Sequence, residues 1–314
     1  MVDEADKLIL FELMQDCRQP LSKIAKTVKL SQQRVHYRIK KLEQEGIIKK
    51  YTINLNYPKL GYSRHSLYLD LRSIDAEEVD KYLKHITTIN EVSCCYMLHD
   101  VSEWKMYISV WTKTIERYDE IQTKIISKFH KHIKNYLSFQ SIKSYTYFSA
   151  RILNPKKEAK CDIKGNPENM ELKSIDWKII DKLRKKSNIS ILDLAHELKI
   201  DTNTVKRRID YLLKENIIER FYIIVDINKL WLREYTFISR VSPSQHNEID
   251  KLIKYAQTDP RFGIIIKAVG YVNLYYAFYA KDNKELKEIT HKVDKILGKT
   301  AIQTYKIEVD NMIS

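Results

Sequence analysis

The sequence predicts an α+β chain built twice over: a winged helix-turn-helix unit, then a ferredoxin-like βαββαβ domain, then both again. Three observations predict this. The chain repeats itself at an offset of 170 residues, each repeat opens with three short amphipathic helical segments, and each then changes to strand periodicity. The repeat is ungapped. Asp6, Ile9, Leu13, Ala25 and Lys29 recur at 176, 179, 183, 195 and 199, and Val35, Arg38, Ile39, Leu42, Glu45, Ile47, Ile48, Lys59 and Leu60 recur at the same offset. A length of 314 residues exceeds one ordinary core at roughly 150 residues per domain, so several domains are expected.

In the first copy, Ile9, Leu10, Leu13 and Met14 recur at helical spacing behind a possible Asp3 cap. Pro20 suits the start of a second helix whose apolar stripe is Leu21, Ile24, Ala25 and Val28, with small Ala25 where helices could cross closely. Leu30-Ser31 reads as a turn with an N-cap. A third helix follows, with Val35, Ile39 and Leu42 on one face, and stops at Gly46, since a residue without Cβ accepts the left-handed backbone that ends helices. The second copy has Asn216 there.

Period-two segments follow, Lys50 to Asn54 and Arg220 to Ile224, expected to connect each helical unit to its partner domain. Beyond the first, strands are expected over His65 to Arg72, Val92 to Leu98, Trp104 to Trp111 and Ile142 to Phe148, and helices over Ala76 to Ile86 and Ile115 to Leu137. The second half repeats the order with Tyr235 to Val241, Glu248 to Gln257, Gly263 to Val269, Asn273 to Ala280, Lys284 to Leu297 and Ile302 to Val309. The domain boundaries are therefore 1–60, 61–150, 174–231 and 232–314. Residues 151–173, with Asn154-Pro155 and Gly165-Asn166-Pro167 and no sustained period, read as a linker that could span up to about 66 Å.

The charge balance selects among partners. Lys and Arg number 55 against 41 Asp and Glu, a net +14 that favours a polyanion. The outer face of the third helix reads Ser31, Gln32, Gln33, Arg34, His36, Tyr37, Arg38, Lys40 and Lys41, and its counterpart reads Thr202, Asn203, Thr204, Lys206, Arg207 and Arg208. Gln pairs bidentately with adenine, Arg with guanine and Lys with phosphate, so these are the candidate contacts to double-stranded DNA. The two faces differ: Asp210 and Tyr211 stand where the first copy has Lys40 and Lys41. Residues 1–60 carry net +5 and 171–231 net +3, so the first unit should supply more electrostatic affinity. Lys124, Lys128, His130, Lys131, His132 and Lys134 read as a solvated basic face, with a secondary DNA track as the alternative.

No catalytic, cofactor or metal site is expected. There is no P-loop, G-x-S-x-G or H-E-x-x-H, and Cys17, Cys94, Cys95 and Cys161 lack zinc-like spacing and read as reduced thiols. The acidic start and the absence of an apolar run near 18 residues lead us to expect a soluble protein of the cytoplasm, associated with the nucleoid, and no membrane partner.

The run Asp6-x-x-Ile9-Leu10, Ile24-Ala25, Leu30-Ser31, Val35-x-x-Arg38-Ile39-x-x-Leu42-Glu43-x-x-Gly46-Ile47-Ile48-x-x-Tyr51 resembles the Lrp/AsnC (feast/famine) regulators, and the resemblance covers nearly the whole chain as two fused copies. It implies a transcription regulator with DNA-binding heads, hinge strands and effector-binding, dimer-forming α/β domains. Family effector sites lie at a Gly-containing turn between the second and third strands of the α/β domain. The corresponding residues here are His99, Asp100 and Ser102, with no Gly, and Gly270 and Asn273. The departure speaks against an amino acid as effector. An assembly from one chain, with 61–150 pairing against 232–314, is expected alongside the alternative of a homo-oligomer. The fused arrangement also resembles siroheme decarboxylases, an enzymatic alternative for which Tyr96, His99 and Trp104 to Tyr107 are the candidate residues.

Overall fold

The computed structural model describes residues 2–72, 74–98, 103–147, 149–155, 161–165, 167–242 and 246–309. It divides into two compact units, and each gathers corresponding pieces of both repeats.

The first unit holds residues 1–60, 150–159 and 169–231. Its helices are α1 (Glu4–Gln15), α2 (Leu21–Val28) and α3 (Gln32–Gln44), with counterparts α6 (Ser174–Lys185), α7 (Ile191–Leu198) and α8 (Thr202–Lys214). Asp3 caps α1 by accepting from Asp6 N at 2.8 Å, and Ser31 caps α3 by accepting from Arg34 N at 3.3 Å. The turns between α2 and α3 and between α7 and α8 each pass through a left-handed lysine, Lys29 and Lys199, both at φ 54°. Gly46 at φ 64° and Asn216 at φ 54° lie beyond α3 and α8, as their residue types foretell. Ile9, Leu10, Ile24, Val35 and Leu42 fill the first three-helix core, and Ile179, Leu183, Leu194, Val205 and Leu212 fill the second.

Strands β1 (Ile48–Leu55) and β7 (Ile218–Val225) follow α3 and α8 and pair with each other, antiparallel, Tyr51 opposite Ile223 and Ile53 opposite Phe221. The corner after each first helix then bonds to the other copy's strand. Cys17 N donates to Phe221 O at 2.9 Å, and Ser187 N to Tyr51 O at 3.1 Å; Asn56 N donates to Ile217 O at 2.9 Å, and Asp226 N to Ile47 O at 2.8 Å. Both pairs of bonds are related by the 170-residue offset, so the sequence repeat has become a local two-fold.

The second unit holds residues 61–149, 160–168 and 232–314. Its first half runs β2 (Ser63–Leu71), α4 (Ala76–Thr87), β3 (Val92–Met97), β4 (Met106–Thr112), α5 (Ile115–Phe129) and β5 (Ile133–Tyr147). After β6 (Cys161–Lys164), the second half runs β8 (Arg233–Val241), α9 (His246–Thr258), β9 (Phe262–Gly270), β10 (Leu274–Ala280), α10 (Asn283–Leu297) and β11 (Ala301–Val309). The strand order β11-β8-β10-β9-β5-β2-β4-β3 is two ferredoxin-like sheets joined edge to edge through antiparallel β9 and β5, with Gly270 opposite Phe139. Alternate residues of each strand face opposite sides. Leu67, Leu69 and Ile108 pack under α4 and α5, and Phe237, Tyr276 and Phe278 pack under α9 and α10. The other faces enclose a third core drawn from both halves, where Trp104 lies 5.6 Å from Tyr305.

Two expectations need correction. The helix expected to Leu137 ends at Phe129, and the residues from Ile133 belong to a long strand whose first turn-proximal residues are exposed and polar, which hid its alternation. The stretch expected to be only a linker contributes β6, which pairs Ser144–Tyr147 of β5. No helix of the described residues is long and apolar enough to cross a membrane.

Candidate nucleic-acid interface

The helix-turn-helix cores fix which faces of α3 and α8 point outward. Val35, Ile39 and Leu42 turn inward, so Ser31, Gln32, Gln33, Arg34, His36, Tyr37, Lys40 and Lys41 are exposed, Tyr37 to 70%. On α8, Thr202, Asn203, Lys206 and Arg207 are exposed and Thr204 half-buried. No acidic side chain lies at the start of α3, which is capped by Ser31, so its N-terminal end keeps the positive end of the backbone dipole uncompensated, whereas α8 begins at Asp201, whose carboxylate accepts from Thr204 N at 3.0 Å and offsets it. The N-terminal end is the one which reaches base edges in a major groove.

Two of the expected contact residues have a different role. Arg38 Nη1 bonds Asp3 at 2.8 Å and Asp6 at 2.7 Å, and Arg208 grips the fully buried Asp176 with Nε and Nη2. The same aspartates serve the helix starts: Asp6 accepts from Asp3 N, and Asp176 from Lys173 N at 2.9 Å. Each arginine therefore ties the recognition helix to the first helix of its own head, and phosphate or base would have to displace a carboxylate to reach it. Tyr211, at the place of Lys41, lies with its ring 4.3 Å from the Arg208 guanidinium, which accounts for that difference between copies. Lys40 pairs with Glu43 at 2.9 Å on an exposed surface, an ion pair worth little and open to exchange for phosphate.

The asymmetry extends to the second helices. Lys23 and Lys26 are exposed on α2, while α7 carries Asp193 and His196 at those places. One further arginine, not foreseen, locks the heads together. Arg18 donates to Ser187 O at 2.7 Å and Ile189 O at 2.9 Å and stacks over Phe221 at 4.3 Å. The other copy has Asn188 there, so this lock acts in one direction only. The unmatched arginine inside an otherwise matching corner was the signal available in the sequence.

The residues proposed for an effector divide. His99, Asp100 and Ser102 lie outside the described residues. Asn273 spends its amide on Val241, donating to its O and accepting from its N, both at 2.8 Å. Gly270, at φ 138°, lets β9 approach β5, for a Cβ there would stand 2.9 Å from Ser138 O. Both residues build the sheet. Of the residues considered for a tetrapyrrole, Tyr96, Trp104 and Tyr107 meet in the third core, each 6% exposed or less. Lys124 and Lys128 lie on α5; His130 caps its end, and His132 lies 3.5 Å from Glu78. Among the described residues, no three His, Cys, Asp or Glu side chains are placed to share a metal ion.

Residues 2–49 and 172–219 both match the winged helix-turn-helix DNA-binding family. The chain is 43% identical over 93 residues to the HTH-type transcriptional regulator LrpA of Pyrococcus abyssi, 29% of this chain and 66% of that relative. It is 30% identical over 125 residues to the regulatory protein AsnC of Haemophilus influenzae, 40% of this chain and 81% of that one. The chain belongs to the Lrp/AsnC family, in two fused copies. It thus spans just under two thirds of the LrpA relative it matches. In fold, the crystal structure of the siroheme decarboxylase NirDL is similar across 98% of this chain and 91% of that one, with a TM-score of 0.63 at 13% identity, a likeness of architecture alone.

Proposed function

We propose that this chain is a sequence-specific regulator that binds duplex DNA, in the cytoplasm, with two unequal recognition helices supplied by one molecule. One observation carries the reading: α3 and α8 expose acid-poor, amide- and cation-bearing N-terminal faces, and β1 and β7 join their heads in one compact unit. Two heads held together bind as one ligand, because the second docks without a fresh loss of translational freedom. Gln33 and Arg34 are the base-reading residues of the stronger head, Asn203 and Arg207 those of the weaker, and Lys23, Lys26 and Lys41 supply phosphate contacts.

Fluorescence anisotropy with labelled duplexes over a salt series tests this. Each phosphate neutralised steepens the fall of log affinity with log salt by close to one unit. Arg34→Ala should cost about 1–3 kcal/mol on a selected site and relax its sequence preference, whereas Lys41→Ala should weaken all duplexes alike. Affinity indifferent to salt, or an Arg34→Ala protein that binds its site as tightly as the parent, would refute the reading.

A further inference from the structure

The inner core of the second unit contains a cation without a counter-charge. On β2, Arg64, Ser66 and Tyr68 share the inward face, since residues two apart point the same way, while His65 and Leu67 face the helices. Arg64 Nη2 donates to the Tyr107 hydroxyl at 2.7 Å, and that hydroxyl lies 3.4 Å from Ser66 Oγ. Arg64 Nε is buried and has no hydrogen-bond partner. Among the described residues no carboxylate pairs with this guanidinium, although part of the side chain remains open.

The groups around it are hydroxyls on aromatic rings and the thiol of Cys94, which burial keeps protonated. Tyr107 lies 4.8 Å from Tyr68 and 5.2 Å from Tyr96, centroid to centroid, and Tyr275 comes from the other half, close enough to Arg64 to feel its charge. Burial pushes Tyr68, Tyr96 and Tyr275 up from the ordinary tyrosine value, so at neutral pH they are uncharged and can donate but not neutralise. The hydroxyls of Tyr68 and Tyr96 make no hydrogen bond among the described residues.

The internal repeat shows that this is not a feature of both halves. Ser66 and Tyr107 correspond to Thr236 and Tyr275, whose hydroxyls are again 3.4 Å apart. At the place of Arg64 stands Glu234, also buried, which burial pushes toward its neutral form and which bonds with Tyr279. At this position only the first half carries a cation. A buried charge is costly unless paired, and a guanidinium offers a carboxylate two parallel donors.

We infer that Arg64, with the hydroxyls of Tyr68, Tyr96 and Tyr275, forms a binding site for a small organic carboxylate whose apolar body lies against the surrounding aromatic rings. The carboxylate accepts from the unused Nε and from the hydroxyls of Tyr68 and Tyr96, with the Tyr275 hydroxyl, itself 3.4 Å from Thr236 Oγ1, beside them, and Tyr107 holds the guanidinium in place. Aromatic walls favour an organic acid over inorganic phosphate. Use of this site to control DNA binding rests on the regulator reading above; binding itself does not.

The test uses the full chain without DNA, followed by thermal unfolding and isothermal titration with benzoate, and with inorganic phosphate as the ionic comparison. Benzoate should raise the melting temperature where phosphate does not. Arg64→Met should melt no lower than the parent without ligand, since it removes an unpaired buried charge, and should lose the benzoate response. Tyr68→Phe and Tyr96→Phe keep the packing and read the same site should Arg64→Met fail to fold; each should weaken benzoate at least about tenfold. Equal responses to benzoate in the parent and in these tyrosine variants, or no response in the parent, would overturn the proposal. So would a Soret shift with haemin that Arg64→Met abolishes, in the absence of any benzoate response, because the site would then belong to a tetrapyrrole.

Discussion

Arg208 and Asp176 make a two-point ion pair, Nε to Oδ1 at 2.6 Å and Nη2 to Oδ2 at 2.5 Å, with the carboxylate wholly buried. The equivalent Arg38 meets two carboxylates, Asp3 and Asp6, the first of them half exposed. Removing one member of a buried pair strands the other in a poorly solvating place, a loss of about 3–5 kcal/mol, whereas exposed pairs contribute about 0–1 kcal/mol. Arg208→Ala should therefore lower stability by about 3 kcal/mol in urea unfolding, and Arg38→Ala by distinctly less. Equal losses would mean that burial of Asp176 does not set the strength of the link.

These arginines also show where sequence reading stops. The spacing on α3 and α8 placed the three-helix cores, the caps and the outward faces correctly, because each follows from local periodicity and residue type. A side chain at the border of the buried face can turn either way, and only a partner 32 residues distant decides it. The retained pairs Asp6 with Arg38 and Asp176 with Arg208 were visible in the repeat. Arg64 was not recoverable at all: its Nε is left without a hydrogen-bond partner by residues distant in sequence, and no local pattern encodes that.

The edge between the two half-sheets depends on Gly270. Its φ of 138° and the 2.9 Å approach to Ser138 O leave no room for a Cβ, and the neighbour is backbone. Gly270→Ala should cost about 1–3 kcal/mol, as other overpacked sites do, and should show in hydrogen exchange as faster opening of β5 and β9. Unchanged protection of both strands would mean that the junction tolerates displacement.

His65 is buried, stacked on Tyr118 at 4.1 Å, and burial pushes its pKa down to about 4. The folded protein therefore holds this imidazole neutral, while the unfolded chain protonates it near its ordinary value of about 6.5. The stabilisation from neutral His65 is complete above that value and is lost as pH falls from about 6.5 to 4, by up to about 3 kcal/mol. His65→Phe keeps the stacked ring and removes the titration. Its stability should fall less steeply than the parent's across that window, and parallel pH profiles would show that His65 does not contribute.

The most direct test of the central claim, that one chain presents two unequal heads as a single reader, is in vitro selection of duplex DNA by the full chain. Gln33, Arg34 and Tyr37 of one head stand where the other has Asn203, Thr204 and Arg207. The consensus should hold two dissimilar half-sites about one helical turn apart, the stronger conservation falling under α3. Exchanging residues 32–38 for 202–208 should make the selected site more nearly symmetric. A consensus from the unaltered chain with two-fold symmetry about its centre would contradict the account.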